Sequence, residues 1–255
     1  MTELTLEDYE KLNPKYEITH DGEKMVFSTP STFTLWRARS IYEKEPWTLE
    51  WISEFDKDDI LIDIGANVGM YSIWAAVTRK VKVYSFEPES MNYAILNKNI
   101  LLNNLMKDIK AFPCGLSDKN ELTNFFMQDM RVGGSNHSAG ESLNFNLKKM
   151  EPVFIQGCIT FTLDYLIDNK FIEIPSHIKI DVDGFEHKVI NGAKNTLAKK
   201  QLKSLLIETN QNLKEHMELV NILQEYGFSY DTNQVKRAER KDGAFKGVAE
   251  YVFRR

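Results

Sequence analysis

Short apolar runs, each ending in turn residues and leading into a helical pattern, constrain this chain more than any other feature. The clearest lie at residues 60–64, 81–86 and 178–180, the last extended by Asp181. Residues 205–207 form a fourth and 109–112 a weaker fifth. Uninterrupted apolar runs of this length suit strands covered on both faces, and their alternation with helices implies a parallel sheet with crossover helices. The spacing predicts helices over 70–79, 89–103, 186–200 and 211–226, the last stopped by Gly227. Residues 228–231 and 249–253 read as two closing strands joined by a Lys-rich loop, and strands joined without a helix pair most easily antiparallel. The fold class is α/β, doubly wound.

A chain of 255 residues accommodates one large α/β domain, or one domain with an extension. Residues 1–57 show no strand–helix unit. They carry an aromatic and basic cluster (Phe33, Trp36, Arg37, Arg39, Tyr42, Lys44, Trp47) ahead of a short helix ending near Phe55, and read as a cap on a domain spanning 58–255. Residues 116–176 interrupt the alternation with a polar stretch, RVGGSNHSAGESLNFN, and an insertion of this length reads as a functional loop or lid. The longest apolar candidate, 61–77, is broken by Asp63 and Asn67, so no transmembrane span is expected. The acidic start MTELTLEDYE lacks the basic region of a secretory signal. Two cysteines, Cys114 and Cys158, are too few for a disulfide framework, and the compartment is read as cytoplasmic. A net charge of -5 argues against nucleic acid as partner. The last twenty residues carry seven bases against three acids, read as a solvated hairpin face.

The segment LIDIGANVGMYS puts Gly65 and Gly69 around a strand-to-helix turn with Asp63 at the strand end. Small residues there let a ligand approach the amides of a helix N-terminus. A dinucleotide fingerprint counted from Gly65 needs glycine at 67 and 70, which hold Asn67 and Met70, and no Lys-Ser/Thr pair follows to make a P-loop. Glu87 ends the second strand in VYSFEP, where a carboxylate can accept both hydroxyls of a ribose. A nucleoside ligand with an amino-acid tail and no pyrophosphate meets these features: S-adenosylmethionine.

These residues resemble the class I S-adenosylmethionine-dependent methyltransferases, and more narrowly the FkbM family. The matching blocks are Asp63 to Gly69, Phe86 to Pro88, and KIDVDGFE from Lys179 to Glu186, where Asp183 stands in place of the commoner Glu. The resemblance covers roughly residues 58–255. It implies a mostly parallel seven-stranded Rossmann-like sheet with an antiparallel last strand. By the resemblance, Asp63, Gly65, Asn67 and Gly69 line the methionine and ribose side of the cofactor, and Glu87 binds the ribose diol. Gly115, Leu116 and Ser117 or Asp118 border adenine, and Asp181 lies near the cofactor's amino group or the reacting centre.

Methyl transfer to a hydroxyl needs the acceptor, methyl and sulfur held in line, together with a general base or a metal. Asp181 and Asp183 are candidates for the base, and because the chain turns between them only Asp181 is expected to face the site. Glu208 and Asn210 end the next strand, about 4.8 Å away if the strands are neighbours. With Asp181 they could form an oxygen-ligand site for Mg2+. His137, in the Gly-rich insertion, could close over the site as a base. Arg37, Lys44 and the nearby tryptophans read first as cap packing and second as contacts to a sugar or anionic substrate.

The expectation is therefore an O-methyltransferase whose acceptor is a small molecule or glycan, a sugar in a surface polysaccharide or a secondary metabolite, the substrate class coming from the resemblance. A non-catalytic S-adenosylmethionine-binding subunit is the alternative. A nucleic-acid methyltransferase is disfavoured. No two prolines are adjacent, and Pro113-Cys114 ends the third strand, the wrong place for a cytosine-modifying thiol.

Overall fold

A computed structural model describes residues 4–255. It begins with helix α1 (Leu6–Lys11), the hairpin β1 (Lys15–His20) and β2 (Glu23–Ser28), and the short helices α2 (Thr32–Arg39), α3 (Ile41–Lys44) and α4 (Pro46–Ser53). Alternation follows: β3 (Ile60–Ile64), α5 (Met70–Arg79), β4 (Lys82–Phe86), α6 (Ser90–Leu102), β5 (Ile109–Phe112). An inserted stretch holds β6 (Gly115–Leu116), β7 (Glu121–Met127), β8 (Ser138–Ala139), β9 (Phe154–Phe161) and α7 (Leu163–Asp168). The chain then continues through β10 (His177–Ile180), α8 (Glu186–Asn191), α9 (Lys194–Leu197), β11 (Ser204–Asn210), α10 (Lys214–Glu225), β12 (Ser229–Tyr230), α11 (Thr232–Ala238) and β13 (Val248–Arg254).

The central sheet has seven strands in the order β12-β13-β11-β10-β3-β4-β5. Strands β11, β10, β3, β4 and β5 pair in parallel, and β13 runs antiparallel to both neighbours. Side chains on a strand alternate between faces, which explains the unbroken apolar runs. Ile62, Ile64, Ile178, Ile180, Leu205 and Ile207 enter one core with α8 and α10. Leu61, Val83, Leu206 and Val252 enter the other with α4 and α5. The inserted strands form a separate four-stranded sheet, β6-β9-β7-β8.

The N-terminal elements share the second core through Met25, Phe27, Trp51 and Phe55. Trp51 Nε1 donates to Ser204 Oγ at 2.7 Å, and the Phe55 ring stacks on His177 with centroids 3.8 Å apart. Asn99 of α6 and Asn103, the C-cap of that helix, fasten β2. Asn99 accepts the Ser28 N–H, and Asn103 both accepts from and donates to the Val26 backbone, each at 2.8 Å. Residues 1–3 of the expected cap lie outside the described residues.

Three expectations are corrected. The helix expected over 186–200 is split into α8 and α9 around Gly192, where a Cβ would stand 2.1 Å from the Ser117 carbonyl oxygen. The loop expected between the closing strands contains α11, whose N-cap Asp231 accepts the Asn233 N–H at 2.8 Å. The basic C-terminal segment is a solvated face only in part: Lys236, Arg237, Lys241 and Lys246 are exposed, but its other arginines make specific contacts. Arg254 pairs with Glu54 at 2.6 Å, Arg255 donates to the carbonyls of Leu197 and Leu202 at 2.9 and 2.8 Å, and Arg240 turns inward. Cys114 and Cys158 are buried and unpaired, and burial pushes the Cys114 thiol up to about 12. No helix among the described residues is long and apolar enough to cross a membrane.

Candidate active site

The turn after β3 is shaped by contacts that only small or left-handed residues permit. Gly65 has φ +78°, and a Cβ there would stand 1.9 Å from the Asp181 carbonyl oxygen. The N–H groups of Gly65 and Ala66 both donate to the Phe86 carbonyl at 3.0 Å, tying the turn to the end of β4. Asn67 follows at φ 50°, a region asparagine tolerates better than most residues. Its N–H donates to Glu87 Oε2 and its side-chain amide to the Gly134 carbonyl, both at 2.7 Å.

A cavity of about 450 Å3 opens beyond the carboxyl ends of the parallel strands, within the roughly 300–1,000 Å3 typical of ligand pockets. This is where open α/β sheets bind ligands. Gly65, Asn67, Glu87, Ser117, His137, Asp181 and Glu208 all border it. Asp63 and Gly69, expected beside the cofactor, do not. Asp63 is buried beneath the turn, where its carboxylate accepts the Ser72 hydroxyl at 2.5 Å opposite Lys179 on β10. Gly69 is needed for packing, since a Cβ there would stand 2.4 Å from Leu96 Cδ1.

Sheet order divides the cavity. Glu87 and Ser117 lie on the β4 side of β3, while Glu208 and Arg240 lie on the β11 side. Glu87 accepts the N–H groups of Asn67 and Glu89 at 2.7 and 2.8 Å, one on each oxygen. Burial outweighs these bonds and pushes its carboxyl up to about 8. In the ionised form each oxygen keeps a free lone pair. Ser117 donates to Asp118 Oδ1 at 3.2 Å.

Asp181 stands between the two halves. Burial works against its charge, but Lys179, with Nζ 3.2 Å from Oδ2, and Lys44 hold it at about 2. Asp183 also borders the cavity, contrary to the expectation that only one of the pair would. Its left-handed backbone, φ 54°, bends it toward the insertion, where it accepts the N–H groups of Asn136 and His137 at 2.6 and 3.3 Å. Burial and the Asp181 charge push its carboxyl up to about 7.

His137 is 7% exposed, and burial pushes its imidazole down to about 4. Nδ1 accepts the Gln128 N–H at 3.3 Å, so the neutral ring carries its proton on Nε2. Glu208 Oε1 accepts from Arg240 Nη2 at 2.8 Å, and Arg240 also reaches Glu250 at 3.3 Å. Burial and the Asp181 charge push the Glu208 carboxyl well above the usual range against the pull of Arg240.

The three residues considered for Mg2+ do not fit a divalent ion. Asp181 is engaged by Lys179, and Glu208 by Arg240. Asn210 does not border the cavity; its Oδ1 accepts the backbone and side-chain N–H groups of Asn212 at 3.0 Å. Among the described residues, no group of three or more His, Cys, Asp or Glu side chains is arranged to hold a metal ion. Extensive dialysis against a strong chelator is therefore expected to leave activity undiminished, and a loss restored by Mg2+ would contradict this donor assignment.

Three positions were not singled out as site residues in the sequence. Lys179 and Arg240 supply the charges that set Asp181 and Glu208. Asn92 accepts the Gly133 N–H at 2.7 Å and donates to the Gly134 carbonyl at 3.1 Å, pinning the insertion over the cavity. A signal for it existed: Asn92 and Asn99 on α6 and Asn103 at its C-cap recur at helical spacing, a polar stripe where apolar side chains are the rule.

The strand order, the antiparallel β13 and a cavity at the carboxyl ends of the parallel strands define a class I S-adenosylmethionine-dependent methyltransferase fold. A family model described as the methyltransferase FkbM domain matches residues 63–230, and the chain belongs to that family. The crystal structure of an FkbM methyltransferase from Methylobacillus flagellatus shares the fold, with a TM-score of 0.51 at 14% identity over 79% of this chain. This chain spans only 44% of that one. The hexuronic acid methyltransferase AglP of Haloferax volcanii is 22% identical over 218 residues, covering 86% of this chain and 83% of the relative. The methyltransferase sdnD of Sordaria araneosa is 35% identical over 69 residues, 26% of each chain.

Proposed function

We propose that the protein methylates a hydroxyl oxygen, that of a sugar in a surface polysaccharide or of a secondary metabolite, using S-adenosylmethionine. One observation carries this reading: a single cavity joins a half lined by Gly65, Asn67, Glu87 and Ser117 to a polar half around Glu208 and Arg240. The names of the archaeal and fungal relatives support it, the former a methyltransferase of a hexuronic acid.

The residues present suit the cofactor. Glu87 when ionised has one free lone pair per oxygen for the ribose diol, Gly65 and Asn67 border the methionine side, Ser117 borders adenine, and Asp181 supplies a permanent negative charge for the amino group. When bound, S-adenosylmethionine supplies a methyl group made electrophilic by its sulfonium. The chain's task is then to hold the acceptor hydroxyl in line and accept its proton. Glu208 is the base in this reading. Asp181 is too acidic to take a proton near neutral pH, the accepting Nδ1 of His137 is taken by the Gln128 N–H, and Asp183 is turned to the insertion, where it accepts the N–H groups of Asn136 and His137.

Calorimetric titration with S-adenosylmethionine, followed by a homocysteine-release assay over candidate acceptors, separates an enzyme from a mere binder. Absence of cofactor binding would sink both. Glu87→Ala removes a carboxylate acceptor whose hydrogen bonds are worth about 1.5–3 kcal/mol. Its Kd for S-adenosylmethionine is expected to rise roughly 10- to 100-fold. Wild-type affinity in a folded Glu87→Ala variant would refute the cofactor placement.

A further inference from the structure

Four of the five cations bordering the cavity are answered by acids. Lys44 pairs with Glu45, Lys188 with Glu141, Lys179 with Asp181, and Arg240 with both Glu208 and Glu250. Arg37 is the exception: among the described residues it has no ion-pair partner. This half-buried side chain reaches from α2 to the insertion and donates through Nε to the Gly133 carbonyl at 2.7 Å. That bond fixes the guanidinium on the cavity wall and uses one of its five donors, leaving the terminal nitrogens available.

The surroundings leave the charge uncompensated. Two titratable groups that feel Arg37 are Lys44, itself a cation, and His137, which is neutral. Of the cavity's four acids, Glu208 is paired with Arg240, and Glu87, Asp181 and Asp183 follow the ends of β4 and β10. A cationic sulfonium belongs beside those acids and an anion beside Arg37. Trp36, 48% exposed, borders the same rim and offers an aromatic face to a sugar ring.

We infer that Arg37 binds a carboxylate of the acceptor, so that the protein methylates a hydroxyl of an acidic sugar whose ring lies against Trp36. This rests on the methyltransferase reading above. A planar guanidinium with free terminal nitrogens binds a carboxylate through two parallel bonds, and such charge-assisted pairs are about twice as strong as neutral ones. The cofactor's methionine tail carries a carboxylate too, and the experiment separates the two sources.

The probes are p-nitrophenyl β-D-glucuronide and p-nitrophenyl β-D-glucoside, which differ in a carboxylate at one carbon. Each is titrated by calorimetry into wild type and Arg37→Gln saturated with S-adenosylhomocysteine, and S-adenosylmethionine is titrated into both proteins alone. The expected result is that wild type binds the glucuronide about tenfold more tightly than the glucoside, as a charge-assisted pair allows. Arg37→Gln should lose that preference and keep wild-type affinity for S-adenosylmethionine. Equal binding of the two probes, binding of neither, or a preference that survives in Arg37→Gln would overturn the inference. So would a fall in S-adenosylmethionine affinity in a variant with wild-type circular dichroism, which would assign Arg37 to the cofactor. Failure of the methyltransferase reading itself would show separately, as wild type that does not bind S-adenosylmethionine.

Discussion

Glu208→Gln is expected to lower turnover by roughly 10²- to 10⁴-fold, the usual contribution of a general base, and to leave cofactor affinity near wild type. Three observations single out this residue. It borders the cavity, burial and neighbouring negative charge push its carboxyl upward, and its competitors are compromised. Asp181 is held at about 2, the His137 ring accepts a backbone N–H through Nδ1, and the Asp183 carboxyl is occupied by the N–H groups of Asn136 and His137. The substitution is nearly isosteric, and Arg240 keeps its bond to Glu250. A base must be ionised to take a proton, so turnover should rise with pH through the Glu208 pKa. With that pKa raised, the acid limb of the kcat profile should lie above the ordinary carboxylate range and be absent in the variant. Near-normal turnover with the limb intact would place the base elsewhere.

Gly65→Ala tests the turn that sets the geometry of the whole site. The added methyl would stand 1.9 Å from the Asp181 carbonyl oxygen and 2.9 Å from its carbonyl carbon, backbone atoms at the end of a central strand. No flexible side chain can yield there, so β3 and β10 must separate or the turn must move. A left-handed residue with a side chain adds its own strain of about 1–3 kcal/mol, and overpacking about as much again. The expected loss is about 3 kcal/mol or more, a fall in Tm of roughly 6–12 °C for a chain of this size, with S-adenosylmethionine binding abolished. Gly22→Ala is the matching control, because Gly22 has a similar φ of +82° but nothing within 4 Å of its Cβ position. It should suffer the strain without the clash. Equal destabilisation of the two variants would remove the steric argument.

The sheet was legible because its signal is local. A strand buried on both faces must be apolar along its length, and helix α5, read over 70–79, spans Met70–Arg79. The site was legible only in part. Asp63 and Gly69 belong to the same motif as Gly65 and Asn67, yet they face the interior, because motif spacing marks a turn without saying which side of it meets the ligand. Gly192 was visible as a glycine, but what excludes a side chain there is a carbonyl at Ser117, far away in sequence. Arg240 was one of seven bases in a run, and only tertiary packing selects it to stand between Glu208 and Glu250. His137 was legible as a candidate base on a Gly-rich insertion, but the hold that Asp183 and Asn92 keep on that loop was not.

The central claim is most directly tested by a crystal structure of the complex with S-adenosylhomocysteine. The expected result has both ribose hydroxyls on the Glu87 carboxylate, adenine beside Ser117, and the thioether sulfur facing the half of the cavity that holds Glu208 and Arg240. A nucleoside bound away from Glu87, or a sulfur directed away from Glu208, would contradict it.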